Sequence, residues 1–369
     1  MEPPQIAIIG SRGIPNFYGG FEQFAAFLAP ALVEKGFKVT VYCSTTHPLR
    51  MKTYEGVKLV YIWDPVRWLG GGSQFLYDLL TILHCRKQSY HLIYQLGYTT
   101  SGLWQWLMPS ASLLMSNMDG MEWTRSKYRG LVKQFLKISE NLVANRSHHL
   151  IADAAPIRSY YLENYSKSVT FIPYATQPKV NIQQSLIEGY GLMPFQYFLV
   201  IARMQPDNHI EWAIQSVIQS GTTKTLIIVG NIQNTYGRYL EKKYGTHPSI
   251  RFLGALFDQD TLNALRHYSA LYIHGHSAGG TNPSLLEAIA ADARIAAHDN
   301  VYNRSVCQNG AVYFGSVQEL ADLISHAQIE SNQWEDRINI GRTRLMAHYT
   351  PEVIADQYIQ LIHQLLPKE

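Results

Sequence analysis

Short apolar runs rich in Val, Ile, Leu and Tyr alternate with helix-period segments along almost the whole chain, and this alternation restricts the fold more than any other feature. Parallel strands cannot be joined by a tight turn, so such a pattern reads as successive parallel β-α-β units. In the first half, strands are expected at Gln5–Gly10, Lys38–Ser44, Val57–Ile62, His91–Leu96, Ser112–Asn117, His149–Asp153 and Val169–Ile172. The clearest helix is expected over Phe21–Lys35, where Phe21, Phe24, Leu28 and Leu32 recur at spacings of three and four and Gly36 marks the stop.

Periodicity fades from Tyr174 to Pro194 and then restarts. Strands are expected at Phe195–Ile201, Leu226–Gly230, Ile250–Leu253, Ala270–His274 and Arg294–His298. Helices are expected at His209–Gln219, Gly237–Tyr244, Asp258–His267 and Pro283–Ala290, with further helices to the end. The 369 residues suit two domains of ~100–200 residues each. The expected division is a first Rossmann-like domain over 1–173, a linker over 174–194, a second over 195–349, and a C-terminal helix in 350–369 that packs back on the first domain. The fold class is α/β, with two doubly wound domains facing a central cleft and ligands at the carboxyl ends of the strands.

Only 16% of residues are charged, against about 25% in an ordinary soluble chain. The deficit is local: residues 88–118 and 267–286 contain no Asp, Glu, Lys or Arg. Both gaps are broken by Gly, Ser, Thr, Asn, Gln and Pro, so neither reads as a transmembrane helix. The opening MEPPQIAIIG carries no secretory signal pattern, and the expected location is cytoplasmic. A net charge of +3 argues against a nucleic-acid binder. Cys43, Cys85 and Cys307 are far apart and suit neither a disulfide framework nor a zinc site.

Three places carry candidate chemistry. The first strand runs into Gly10-Ser-Arg-Gly-Ile-Pro-Asn-Phe-Tyr-Gly19-Gly20-Phe-Glu22, which has neither dinucleotide-fingerprint nor P-loop spacing. Gly19 and Gly20 nevertheless sit at a helix start, where backbone N–H groups favour anions. The strongest local signal is His274-Gly-His276-Ser-Ala-Gly279-Gly280-Thr281-Asn282-Pro283-Ser284-Leu-Leu-Glu287. There a strand ends in a glycine turn, and Asn282-Pro283 suits an N-cap and first helical position. Such a site suits a diphosphate, with Glu287 accepting from a ribose diol. Arg203 follows another strand and is placed to neutralise a phosphate leaving group. Asp119 and Glu122 end the first charge-free gap, where carboxylates bind sugar hydroxyls or act as a base.

Asp258-Gln-Asp260 spells D-x-D, but it opens a helix and reads as capping, so no metal is assigned to it. Between Thr124 and Lys137 there are five cations, no acid, and interleaved Leu131, Val132, Phe135 and Leu136. A helix of this kind suits either a solvated sheet cover or peripheral contact with an anionic membrane.

The motifs together resemble family 4 glycosyltransferases of GT-B architecture, over nearly the whole chain. SRGIPNFYGGFE, NMDGMEW and HSAGGTNPSLLEA look like the bacterial rhamnosyltransferase-like subgroup of cell-surface polysaccharide synthesis. The resemblance implies a retaining, metal-independent hexosyltransferase. Its donor would be a dTDP- or UDP-linked sugar, and its acceptor a glycan or a polyprenyl-diphosphate-linked glycan. Arg203, Asp119 and Glu122 would be the catalytic residues, and Gly19, Gly20, His276, Gly280, Thr281, Asn282, Ser284 and Glu287 would hold the donor. No cofactor is expected beyond the donor itself.

Two departures stand out. The family's E-x7-E would need a glutamate where this chain has Gly279, and a lysine usual about five residues after the arginine is absent. Competing readings are a nucleotide-sugar 2-epimerase of the same architecture, a non-catalytic nucleotide-sugar-binding component, and, least favoured, a Rossmann oxidoreductase.

Overall fold

The computed structural model describes residues 2–118, 120–124, 128–325 and 331–366, and they divide into two compact units. Unit 1 comprises Met1–Tyr174 together with Pro351–Glu369, and unit 2 comprises Ala175–Thr350.

Unit 1 is built on β1 (Gln5–Ile9), β2 (Lys38–Ser44), β3 (Thr53–Tyr54), β4 (Val57–Ile62), β5 (Leu92–Leu96), β6 (Leu113–Asn117), β7 (His149–Ala152) and β8 (Val169–Phe171), in the order β3-β4-β2-β1-β5-β6-β7-β8. Every pair is parallel except β3 with β4. The apolar runs form central strands because parallel strands bury both faces: Ile6, Ala7 and Ile8 are fully buried, and so are their neighbours Leu92 and Ile93. β1 pairs with both β2 and β5, so the chain reverses direction across the sheet at that point.

The helix Gly20–Glu34 covers one face through Phe24, Ala25, Leu28 and Leu32. Against it lies the C-terminal helix Pro351–Leu365, whose Tyr358 ring is 5.3 Å from Phe24 and whose hydroxyl is 2.9 Å from that of Tyr94.

Unit 2 contains β9 (Tyr197–Ile201), β10 (Thr225–Val229), β11 (Ile250–Gly254), β12 (Leu271–His274), β13 (Ile295–His298) and β14 (Val312–Phe314), in the order β11-β10-β9-β12-β13-β14, all parallel. Its reversal lies between β9 and β12. That topology carries Arg203, just after β9, and the glycine turn after β12 to adjacent positions at the carboxyl edge, where open α/β sheets bind ligands.

Strand positions follow the sequence expectation to within a residue or two, with differences elsewhere. β3 and β14 are absent from the expected set; each has three residues or fewer, too short to show a period. Of the expected linker over 174–194, Tyr174 falls in unit 1 and residues 175–194 fall in unit 2. Residues Ser185–Glu188 form a helical turn, the Lys179 N–H donates to the Ala290 carbonyl, and Tyr268 Oη donates to the Ile182 carbonyl. These partners lie dozens of residues away in sequence, and local composition carries no trace of them. The basic helix begins at Gly130 and runs to Arg146, so Arg129 is its N-cap, and Arg125 and Lys127 lie outside the described residues.

Candidate functional site

In unit 2 the loop after β9 and the turn after β12 are bound to each other by backbone and imidazole. The Ser277 N–H donates to the Asp207 carbonyl at 3.0 Å and Ser277 Oγ to the same carbonyl at 2.9 Å. His209 Nδ1 lies 2.8 Å from the Gly275 carbonyl. The approach is close enough to require glycine at 275, where a Cβ would fall 2.3 Å from the Asn208 carbonyl oxygen.

Asn208 Nδ2 donates to the Arg203 carbonyl at 2.7 Å, which fixes the backbone from which the exposed Arg203 side chain extends. Asn208 stands at the fifth position after the arginine, where the resemblance leads one to look for a lysine. It is nearly buried and serves the loop rather than a ligand.

The helix Pro283–Ala290 starts immediately beyond. Asn282 caps it, accepting the Ser284 N–H at 2.9 Å, with Pro283 in the first turn. Ser284 Oγ is engaged internally, 2.9 Å from Tyr272 Oη. The His276 carbonyl accepts from Asn300 and Asn303 Nδ2, both at 3.0 Å, and its ring stacks on His274 at 4.3 Å. His274 is buried, and desolvation, reinforced by His276 and Arg266, pushes its pKa well below the usual histidine range, so it is neutral at pH 7. Gly280 and the buried Thr281 complete the turn. Gly279 has φ +109°, a conformation that disfavours any side chain. The glutamate that E-x7-E calls for would therefore be strained at this backbone even though no atom obstructs it.

Glu287 is not a free carboxylate. Its Oε2 pairs with Arg266 Nη2, and the Arg266 side chain is only 1% exposed while that of Glu287 is 20% exposed. Arg266 and Glu287 are the two charges that bracket the 267–286 gap, and the fold brings them together across the helices Gln259–His267 and Pro283–Ala290. Sequence reasoning missed this pair, although the bracketing was a visible signal. The D-x-D carboxylate Asp258 caps its helix by accepting the Thr261 N–H at 2.9 Å. Among the described residues, no group of three or more His, Cys, Asp or Glu side chains is arranged to hold a metal ion.

The other expected site residues belong to unit 1. Gly19 and Gly20 are exposed at the start of the helix Gly20–Glu34, beyond β1. Asn16 Oδ1 holds the preceding turn by accepting from the N–H groups of Tyr18 and Gly19. Glu22, nearly buried, turns back to accept the Arg12 N–H at 2.7 Å and so closes the Gly10–Gly19 loop. Asp119 lies outside the described residues. Glu122 lies beyond β6, and its N–H donates to Tyr98 Oη at 2.9 Å. β1, β5 and β6 are adjacent, so Gly19, Gly20, Tyr98 and Glu122 share one sheet edge.

Behind Glu122 lies a buried carboxylate that no sequence motif marks. Glu140, 1% exposed, accepts from Trp123 Nε1 at 2.9 Å and from the hydroxyls of Tyr160 at 2.8 Å and Tyr165 at 3.0 Å, with Tyr98 Oη 3.3 Å away. Among the described residues, the hydrogen bonds it accepts come from an indole N–H and phenol hydroxyls. Replacing Glu140 by leucine strands these donors at ~1–3 kcal/mol each and is expected to lower unfolding free energy by about 3 kcal/mol or more. Urea unfolding measures this, and a loss below about 1 kcal/mol would remove Glu140 as the anchor of the Glu122–Trp123 turn.

Known proteins share this fold. The chain superposes end to end on solved structures. Sucrose-phosphate synthase from Thermosynechococcus elongatus gives a TM-score of 0.79 at 17% identity, covering 98% of this chain and 99% of that one. The α,α-trehalose 6-phosphate synthase from Burkholderia multivorans gives 0.76 at 11%, covering 99% and 97%. Anabaena HepE, solved in complex with UDP and glucose, gives 0.75 at 13%, covering 98% and 100%. The fold is GT-B, two Rossmann-like α/β units with parallel sheets.

Residues 4–177 match the model of a family described as a domain of unknown function, DUF1972. No curated protein matches the sequence.

Proposed function

We propose that the chain is a glycosyltransferase that moves a hexosyl or 6-deoxyhexosyl group from a UDP- or dTDP-linked sugar to a glycan acceptor. The observation that carries this reading is the carboxyl edge of the second sheet. There the Arg203 loop is bonded to the Gly275–Ser277 turn, and a capped helix N-terminus follows at once. Backbone dipoles at such a helix start favour a diphosphate, and an exposed guanidinium on the adjoining loop suits the charge that develops on it. The neighbour HepE binds UDP and, in another structure, UDP-glucose, which supports a donor of this class.

In the reaction proposed, the bond between the sugar C1 and the diphosphate oxygen breaks and a bond from the acceptor oxygen to C1 forms on the same face. The acceptor proton passes to the departing phosphate oxygen. Arg203 stabilises the leaving diphosphate, Glu287 binds the nucleotide ribose, and Asp119 and Glu122 orient the acceptor. No step draws on a metal. Following the resemblance, the acceptor is a polyprenyl-diphosphate-linked glycan of bacterial surface polysaccharide synthesis, and the donor sugar is rhamnose-like. The absent carboxylate at Gly279 suits a donor presenting a methyl group in place of a hydroxyl, because a buried carboxylate left unpaired is costly.

A donor panel tests this reading. Calorimetric titration is expected to show tighter binding of dTDP-rhamnose than of UDP-glucose, and incubation with donor alone should leave the sugar configuration unchanged. A clear preference for UDP-glucose contradicts the donor assignment, and conversion of the donor without acceptor indicates an epimerase.

A further inference from the structure

One face of unit 1 presents apolar side chains to solvent within a surface where, among the described residues, exposed cations outnumber exposed acids. The connections β4 to β5, β5 to β6 and β6 to β7 all step the same way across the sheet, so right-handed crossovers put their helices on one face. These are the helix Ser73–Cys85, the turn Ser101–Leu107 and the helix Gly130–Arg146, which pack side by side, with the Phe75 and Phe135 rings 5.7 Å apart. The helices Gly20–Glu34 and Pro351–Leu365 cover the opposite face, because the step from β1 to β2 runs the other way.

Along the helix Gly130–Arg146, Leu131, Ile138 and Leu142 are exposed at spacings of seven and four, Leu131 to 82%. Trp106 in the neighbouring turn is 70% exposed, and Trp68, ahead of the helix Ser73–Cys85, is 76% exposed.

Charge on this face is mostly positive; the helix Ala155–Tyr165, on the same face through the β7-to-β8 crossover and packed on Gly130–Arg146, adds the exposed Arg158 and the exposed acid Glu163. Between residues 65 and 118 the one acid is Asp78, and between 123 and 152 the one acid is Glu140; both are buried. Arg67, Arg86, Lys87, Arg129, Lys137 and Arg146 in the same segments are exposed. Arg86, Trp106 and Arg146 line a groove of about 600 Å³ at the amino ends of β5 and β6.

We infer that this face docks on an anionic lipid bilayer, with Trp68, Trp106, Leu131, Ile138 and Leu142 entering the interface and the cations meeting lipid phosphates. Tryptophan and leucine flanked by an excess of Lys and Arg match the apolar and anionic layers of such a surface. Indole rings and long basic side chains both favour the bilayer interface, which accommodates the two together.

Co-sedimentation of the full chain with vesicles tests the inference. Binding is expected to vesicles containing about one third phosphatidylglycerol, to fall steeply with salt, and to be weak on pure phosphatidylcholine. The variant Arg67→Gln/Lys87→Gln/Arg146→Gln should lose about 100-fold in affinity, at roughly fivefold per cation. The variant Trp106→Ser/Leu131→Ser/Ile138→Ser should lose binding while keeping the circular dichroism and melting temperature of the parent. If that variant misfolds, quenching of the parent's tryptophan fluorescence by brominated lipid reports insertion directly. Absence of binding to anionic vesicles, equal binding by the charge variant, or a dimer in light scattering that the apolar variant dissolves would each overturn the inference.

Discussion

Replacing Arg203 by alanine is expected to lower kcat by about 10²–10³-fold, corresponding to ~2.7–4 kcal/mol of lost transition-state stabilisation, while unfolding free energy changes by about 0.5 kcal/mol or less. The two parts of this expectation have one structural cause. The Arg203 side chain is exposed, and its backbone is held by Asn208 rather than by its own guanidinium. A residue so placed contributes little to folding, and in the proposed reaction its charge acts on the bound diphosphate. Asn208 occupies the position of a second cation, so no lysine at that point shares the load. Arg203→Lys should recover only part of the rate, because an ammonium cannot grip two phosphate oxygens in a fixed plane. Single-turnover kinetics and urea unfolding of the two variants decide the matter; an unchanged rate in Arg203→Ala removes the residue from the site.

Glu287 gives the second large effect, of a different kind. Glu287→Ala leaves the Arg266 guanidinium buried without its counter-charge, which costs about 3–5 kcal/mol. Loss of nucleotide affinity in that variant therefore mixes a folding defect with a missing ribose contact. Glu287→Gln separates them, since an amide oxygen still accepts from Arg266 and only the negative charge is lost. This variant is expected to fold, to lose less stability than the alanine variant, and to bind UDP or dTDP about 10–100-fold more weakly, the range of one charged hydrogen bond. Calorimetry beside denaturant unfolding reads both quantities. Parental affinity in the glutamine variant would make Glu287 the structural partner of Arg266 alone.

The sequence carried the fold where burial writes itself into local pattern. β1, β9 and β12 are buried, mostly apolar runs, and the capped start of Pro283–Ala290 is readable from Asn282-Pro283 alone. What escaped was whatever depends on partners far along the chain. Residues 174–194 looked like a linker because the contacts that order them come from Tyr268, Ala290 and Arg251. No spacing marks Glu140, because its partners at 98, 123, 160 and 165 come from separate elements.

The charge-free gap before Glu287 was noticed as a site signal, but its two bracketing charges were not joined until the fold joined them. Gly279 was read as a lost carboxylate; its positive φ adds that the backbone itself is set for glycine.

In the proposed reaction this chain transfers a sugar from a nucleotide diphosphate held at the carboxyl edge of its second sheet. The most direct measurement is mass-resolved transfer with nucleotide sugars and lipid-linked glycan acceptors, run in parallel with the parent chain and Arg203→Ala. The account predicts an acceptor heavier by one hexosyl or deoxyhexosyl unit, with one nucleoside diphosphate released per transfer and both products reduced together in the variant. Nucleotide sugar bound with no acceptor modified across the panel, or transfer at equal rates by the two proteins, would contradict it.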